Sequence, residues 1–87
     1  MKHKLIWQPN AWQDYVYWSE TDKKILKKIN EILKDIDRTP YTGIAKPERL
    51  MYGLKGYWSR RITQEHRLIY NVNDESIVII SCRFHYT

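Results

Sequence analysis

The second half of this 87-residue chain holds residues able to move protons and grip an anion: the acid Glu48, the arginines Arg60, Arg61 and Arg67, and His85. Arg67 offers a planar, always-charged fork suited to phosphate oxygens, and Arg61 a second contact. His85, with an ordinary pKa of about 6.5, can give or take a proton near neutrality. With Glu48 on the same face, the set holds a base, a charge stabiliser and an acid. Those are the parts needed to cleave RNA without a metal. Glu48 would take the proton of a 2′-hydroxyl, the oxyanion would attack phosphorus, Arg67 would steady the added charge, and His85 would protonate the departing 5′-oxygen. A blander reading stands beside it: Glu48, between Lys46 and Arg49, as an ion-paired surface acid, and His85 as an inert histidine near the C-terminus. Metal-ligand spacing, a phosphate-cradling glycine loop and a serine-histidine-acid pattern are all missing from the sequence, which disfavours metal nucleases, nucleotide triphosphatases and serine hydrolases. No cofactor is expected.

The elements that must carry these groups follow from periodicity. Lys4 to Gln8 is short, apolar and β-prone, and Pro9-Asn10 opens a helix with Asn10 as its cap. That helix runs from Ala11 to about Ser19, with Trp12, Tyr15, Val16 and Trp18 expected on its inner face. Thr21 and Asp22 cap a second helix, roughly Asp22 to Asp37, whose stripe is Ile25, Ile29, Ile32, Leu33 and Ile36. Its outer face carries Lys23, Lys24, Lys27, Lys28 and Lys34 with Glu31 and Asp35, either a solvated surface or a phosphate-attracting flank. Thr39-Pro40 closes it, and a loop through Gly43 leads to Glu48. Strands are expected from Tyr57 to Thr63, Arg67 to Asn73 and Ser76 to Phe84, linked by short turns into an antiparallel meander. The expected fold is α+β, one domain over residues 1–87, with two N-terminal helices on an antiparallel sheet.

Alternation along the strands then sorts side chains by face. Leu68, Tyr70 and Val72 form one apolar set and Val78, Ile80, Cys82 and Phe84 another; Trp58 and Ile62 join them, with Arg60 on that mainly apolar side. Burying these sets together leaves Arg61, Arg67, Arg83 and His85 on the opposite face, with Ile77 and Ile79 among them. Arg60, turned away, is free to contact a partner.

Composition narrows the setting. A net charge of +5 and a pI near 9.4 favour an anionic partner, whether nucleic acid, acidic protein or membrane surface. Apolar runs reach only four residues, as at Ile77–Ile80, far below the roughly 20 of a spanning helix. A cytoplasmic location without membrane contact is therefore expected. The single cysteine, Cys82, suits a reducing compartment and reads as a small buried hydrophobe, with a catalytic thiol as the alternative.

Beyond single residues, the chain contains Leu-Ile-Trp at 5–7, Glu-Thr-Asp-Lys at 20–23, Lys-Lys-Ile-Asn-Glu at 27–31, Arg-Thr-Pro at 38–40 and Lys-Pro-Glu at 46–48. Gly-Tyr-Trp-Ser-Arg-Arg-Ile-Thr at 56–63, Glu-His-Arg-Leu-Ile-Tyr at 65–70 and Cys-Arg-Phe-His-Tyr at 82–86 follow. In this order and spacing the chain resembles the Txe/YoeB toxins of bacterial type II toxin–antitoxin systems, within the RelE superfamily. The resemblance implies a small RelE-like, microbial-RNase-like fold and a ribosome-dependent mRNA endonuclease, neutralised by a YefM-like antitoxin. It places the catalytic glutamate, arginine and histidine on Glu48, Arg67 and His85, and supporting substrate contacts on Lys46, Arg61, Glu65 and Tyr86, whose ring would stack on a base. Arg49 and Met51 stand where the family has a proline and a lysine, Arg49 being expected to replace the lost charge, and Thr87 is an addition after Tyr86. Implied partners are mRNA in the ribosomal decoding site, rRNA facing the lysines of the second helix, an acidic antitoxin that folds on binding, and a second copy of the chain. Other classes compatible with the residues are a non-catalytic RNA- or ribosome-binding module, in which Glu48 and His85 are bystanders, and a regulatory protein that only binds a partner.

Overall fold

The computed structural model describes residues 1–84, Leu54 by its backbone alone. Strand β1 (Lys4–Trp7) leads into helices α1 (Pro9–Thr21) and α2 (Lys23–Arg38), followed by β2 (Glu48–Arg49), a 3-10 turn at Tyr52–Leu54, β3 (Trp58–Arg61), β4 (Arg67–Val72) and β5 (Ser76–Ser81). They form one five-stranded sheet in the order β1-β5-β4-β3-β2. The meander β3-β4-β5 is antiparallel as expected, and β2 adds to it antiparallel. The sheet as a whole is mixed, however, because β1 pairs with β5 in parallel, Lys4 opposite Ser76 and Trp7 opposite Ile79. Parallel pairing needs a long crossover, and the helical excursion after β1 begins one. Glu48, expected in a loop, lies on the edge strand β2. Neither described helix is long and apolar enough to cross a membrane.

Local chemistry explains the helix boundaries. Pro9 occupies the first turn of α1, where its missing N–H is no loss, so the helix begins there and Asn10 is inside it instead of capping it. The ring of Tyr15 packs 4.7 Å from Trp7, but Trp12, expected inside, is 51 % exposed. Asp22 caps α2 as expected, its Oδ1 accepting from the backbone N–H of Lys24 (3.0 Å) and Ile25 (3.2 Å). Ile29, Ile32, Leu33 and Ile36 are buried, while Lys23, Lys24, Lys27 and Lys34 are exposed. Asp35, expected on the lysine face, is buried instead, as is Asp37. Burial works against the charge of Asp37, but N–H groups of Lys2 (2.9 Å) and His3 (2.8 Å) and the His3 ring (2.8 Å) overcome it and bring the carboxyl down to about 2.

The core joins the α1 and α2 stripes to Leu68, Tyr70, Ile77, Ile79, Ile62 and Cys82. Burying each such large side chain stabilises by about 1.5–3 kcal/mol. Alternation holds along β4 but fails along β5, where Ile77 and Ile79 face the helices and Val78 and Ile80 are only half-buried. A register shift is the reason: Tyr70 faces Ile79 and Ile69 faces Ser81, so Ile80 is an extra residue. Such a bulge resets the alternation, which returns Cys82 to the core. Burial, helped by the nearby Asp14 carboxylate, pushes its thiol up to about 12, so Cys82 is a core residue and not a nucleophile.

Candidate active site

Register decides which groups meet. Glu48 pairs with Ser59, Ser59 with Ile69, and Ile69 with Ser81, forming one row across four strands. Two residues along, Arg61 stands directly opposite Arg67. Because side chains two apart share a face, Glu48, Arg61 and Arg67 all lie on the side of the sheet away from the helices. Glu48 and Arg61 are exposed, and Arg67 is half-buried. The acid and the two arginines thus share one face of the sheet. Like charges directly opposed across strands are destabilising on their own, so this pair is favoured by an anion between or beside them.

The arginines are held differently. Arg67 folds its Nη1 back onto the carbonyls of Thr63 (2.8 Å), Gln64 (3.0 Å) and His66 (3.2 Å), which tie its guanidinium to the β3–β4 turn. Its Nε and Nη2 find no acceptor among the described residues. Thr63 stiffens the same turn by accepting from the N–H of Glu65 (3.2 Å) and His66 (3.1 Å). Glu65 is exposed on that turn, its Oε1 3.4 Å from His66 Nε2.

Lys46 and Glu48 are aimed by a loop whose anchor is Arg60. This side chain is on the helix side, as alternation requires, but it is 0 % exposed and so is not open to a partner, contrary to expectation. Its Nη1 donates to Asp35 Oδ2 (2.7 Å) and the Ile44 carbonyl (2.9 Å), its Nη2 to the carbonyls of Thr39 (2.7 Å) and Thr42 (2.9 Å), and its Nε to the Tyr70 hydroxyl (3.1 Å). The Tyr70 hydroxyl in turn donates to the Pro40 carbonyl (2.7 Å). The Arg60 guanidinium holds the Asp35 carboxyl below the usual carboxylate range, while burial raises the Tyr70 hydroxyl. A polar pair this deep is tolerated because every donor is used. The loop then passes through Ala45 (φ 63°) and Lys46 (φ 52°), and the Ala45 carbonyl accepts from Arg61 N–H (2.6 Å). One arginine thus pins the loop from below, and its neighbour's backbone pins it beside Glu48.

Other expectations change. Arg49 pairs with Trp58 and so lies on the opposite face from Glu48; it does not restore the charge that Met51 lacks at this site. Met51 is exposed. Arg83 leaves the arginine face altogether, its guanidinium carbon 3.7 Å above the Tyr17 ring of α1 and 4.8 Å from that of Phe84. His85 and Tyr86, with Thr87, lie outside the described residues. Sequence reasoning missed the Arg60 hub, although an arginine at an apolar strand position and an aspartate between Leu33 and Ile36 were its available signs. It also passed over His66, a turn residue that proves buried.

A family model described as the YoeB-like toxin of bacterial type II toxin–antitoxin systems matches residues 7–86. Toxin YoeB of Escherichia coli O6:H1 strain CFT073 is 61 % identical over 83 residues, covering 95 % of this chain and 99 % of that one. Among solved structures, the YoeB dimer from Staphylococcus aureus superposes with a TM-score of 0.94 at 50 % identity, covering 99 % of this chain and 100 % of that one. The toxin in the heterotetrameric YoeB–YefM complex from the same organism does so at 0.91 and 50 %, with the same coverage.

Proposed function

Because the chain belongs to the YoeB-like family of type II toxins, with its RelE-like α+β fold, we propose that it is a ribosome-dependent mRNA endoribonuclease that acts without a metal. The observation that carries this reading is the sheet face away from the helices, on which an exposed Glu48 shares its side with the opposed pair Arg61 and Arg67. Glu48 takes the proton from the 2′-hydroxyl, and the oxygen attacks the neighbouring phosphorus. Arg67, already oriented by three turn carbonyls, directs its remaining N–H groups at the phosphorane oxygens, where preorganised donors act most strongly. His85 gives its proton to the leaving 5′-oxygen. The products are a 2′,3′-cyclic phosphate and a free 5′-hydroxyl. Arg61 and Lys46 bind flanking phosphates, Glu65 positions substrate from the turn, and Tyr86 stacks on a base.

The substrate is mRNA in the decoding site of the ribosome, and the lysines along α2 contact rRNA through its phosphates. A YefM-like antitoxin, acidic and folding as it binds, neutralises this face; the chain pairs with a second copy, and it works in the cytoplasm. The test is cleavage of end-labelled mRNA on purified translating ribosomes. Cyclic-phosphate ends, abolished by Glu48→Gln, Arg67→Ala or His85→Ala, are expected. Ribosome binding with intact mRNA would overturn the reading in favour of a non-catalytic binding module, and products with 3′-hydroxyl and 5′-phosphate ends would overturn the mechanism of 2′-hydroxyl attack.

A further inference from the structure

Val72 closes the strand that Arg67 opens, about 17 Å along it at the usual strand rise, and a second polar cluster gathers at that far end. A cavity of about 370 Å³ is lined there by Lys2 and His3 before β1, by Pro40 and Tyr41 after α2, and by the chain from Val72 to Asp74. Its size is that of a small-molecule site. Each side is anchored. The Arg60 hub holds the first: Arg60 Nη2 donates to the carbonyls of Thr39 (2.7 Å) and Thr42 (2.9 Å), and the Tyr70 hydroxyl to that of Pro40 (2.7 Å). The Tyr41 ring lies 4.9 Å from Trp58 and is 50 % exposed. At the β4–β5 turn, Asn73 Oδ1 accepts from the N–H of Glu75 (2.9 Å) and Ser76 (2.8 Å), which fixes the side chain and turns its Nδ2 to other acceptors. His3 is held by Asp37, a buried carboxylate kept ionised by the N–H groups of Lys2 and His3 and by His3 Nδ1 at 2.8 Å. An ionised carboxylate only accepts, so Nδ1 carries the proton and in the neutral ring Nε2 presents a lone pair. That nitrogen has no partner among the described residues and is not sealed from solvent.

We propose that this cavity is a second site, which binds a ribonucleotide and prefers guanine as its base. Its groups match the parts of such a ligand one by one. The exposed Tyr41 ring, backed by Trp58 and bordered by Pro40 and Val72, is a stacking surface for a base. The Asp74 carboxylate accepts from base N–H groups, and guanine offers two adjacent ones on its Watson–Crick edge. His3 Nε2 accepts from the ribose 2′-hydroxyl, the group by which a protein tells RNA from DNA. Lys2 and Asn73 Nδ2 donate to the phosphate. Other small ligands suit the cavity less. No group of three metal-ligating side chains gathers among the described residues, and Asp74 repels a bare anion while it serves a base edge. The ligand is either a free nucleotide or an unpaired nucleotide of an RNA strand, since both present the same base, sugar and phosphate.

The test is titration of the whole ¹⁵N-labelled chain, followed through the Asn73 side-chain amide and the Asp74 backbone amide. The probes are guanosine 5′-monophosphate, its 2′-deoxy analogue, uridine 5′-monophosphate, inorganic phosphate, and a single-stranded RNA tetramer with one guanosine, the last given to Glu48→Gln so that the RNA stays whole. Guanosine monophosphate is expected to shift both resonances saturably, and the deoxy and uridine forms to bind about fivefold to tenfold more weakly, the scale of one lost hydrogen bond. Tyr41→Ala is expected to weaken binding about tenfold or more, the scale of a lost base–aromatic stack. His3→Leu should erase the preference for ribose and Asp74→Ala the preference for guanine. Tyr41 and Asp74 are exposed, so their variants keep the fold even where His3→Leu, which strands Asp37, does not. Shifts with the tetramer alone assign the site to RNA, and shifts with the mononucleotide alone assign it to a free nucleotide. No saturable shift with either, equal affinity for the ribose and deoxyribose forms, unchanged affinity in Tyr41→Ala, or the same shifts from inorganic phosphate would overturn the proposal. The readout is binding, so it stands apart from whether the chain cleaves RNA.

Discussion

On β3, Arg60 lies on the helix side with every donor satisfied by Asp35, Tyr70 and three loop carbonyls, whereas Arg61 next to it is exposed and stands opposite another cation. The pair shows how one strand can use the same side chain for opposite ends. A charge that has been fully paired inside the protein is structural and has nothing left to offer a ligand. A charge left beside its like is poorly satisfied by the protein alone and keeps its donors for an anion. Charged residues on this chain should therefore separate into those whose loss unfolds it and those whose loss only disarms it.

Substitutions on the two sides of that division should behave differently. The largest effect belongs to Arg60→Ala, which strands a buried Asp35 and three carbonyls and should cost about 3–5 kcal/mol, read from the urea midpoint. Next comes Arg67→Ala: cleavage should fall by about a hundredfold to a thousandfold with a native circular dichroism spectrum, and a native rate would remove Arg67 from the proposed chemistry. Gly43→Ala attacks the hub from the loop side, since Gly43 has φ +114° and a methyl group there would overlap the Asp35 carboxylate. A loss of about 1–3 kcal/mol is expected, and unchanged thermal stability would mean that the loop can move away from Asp35.

Asp37 gives a pH slope. Its folded pKa of about 2 lies below the ordinary 3.8, so its contribution is complete above about pH 4 and disappears as pH falls towards 2. Asp37→Asn should flatten the fall of the unfolding midpoint over that window, and an equally steep fall would refute the assignment. The smallest stability effect is that of Arg61→Ala, within about 0.5 kcal/mol of wild type, or slightly stabilising because an opposed cation is removed. Its signature should instead be a shallower dependence of ribosome or RNA affinity on salt.

The same division marks what could be read from the sequence. The stripe of α2, the Asp22 cap and the alternation of β4 are local patterns, and the placement of Arg61 and Arg67 on one face followed from them. Glu48 was recognisable as the acid, but the two-residue strand that puts it level with Ser59 has no periodicity to reveal it. What failed depends on partners distant in the chain. One extra residue in β5 exchanged the faces of Ile77, Ile79 and Val78, the parallel pairing of β1 has no local mark, and Arg60, placed on the apolar side, looked free for a partner because Asp35, 25 positions earlier, is visible as its own partner only in three dimensions. Asp35 itself was misjudged because its helix position borders both the lysines and the apolar stripe.

The parallel pairing of β1 with β5 also bears on how the chain is made. Lys4 waits for Ser76, and Trp18 and Asp14 wait for Cys82, so β1 and α1 are completed only once β5 and the residue after it have been made. Until β4 and β5 exist, the apolar stripe of α2 has no sheet to cover, and short helices without such packing are marginal in water. Assembly is thereby deferred until β5 has been made, and the face bearing Arg61 and Arg67 comes into being only with the whole sheet.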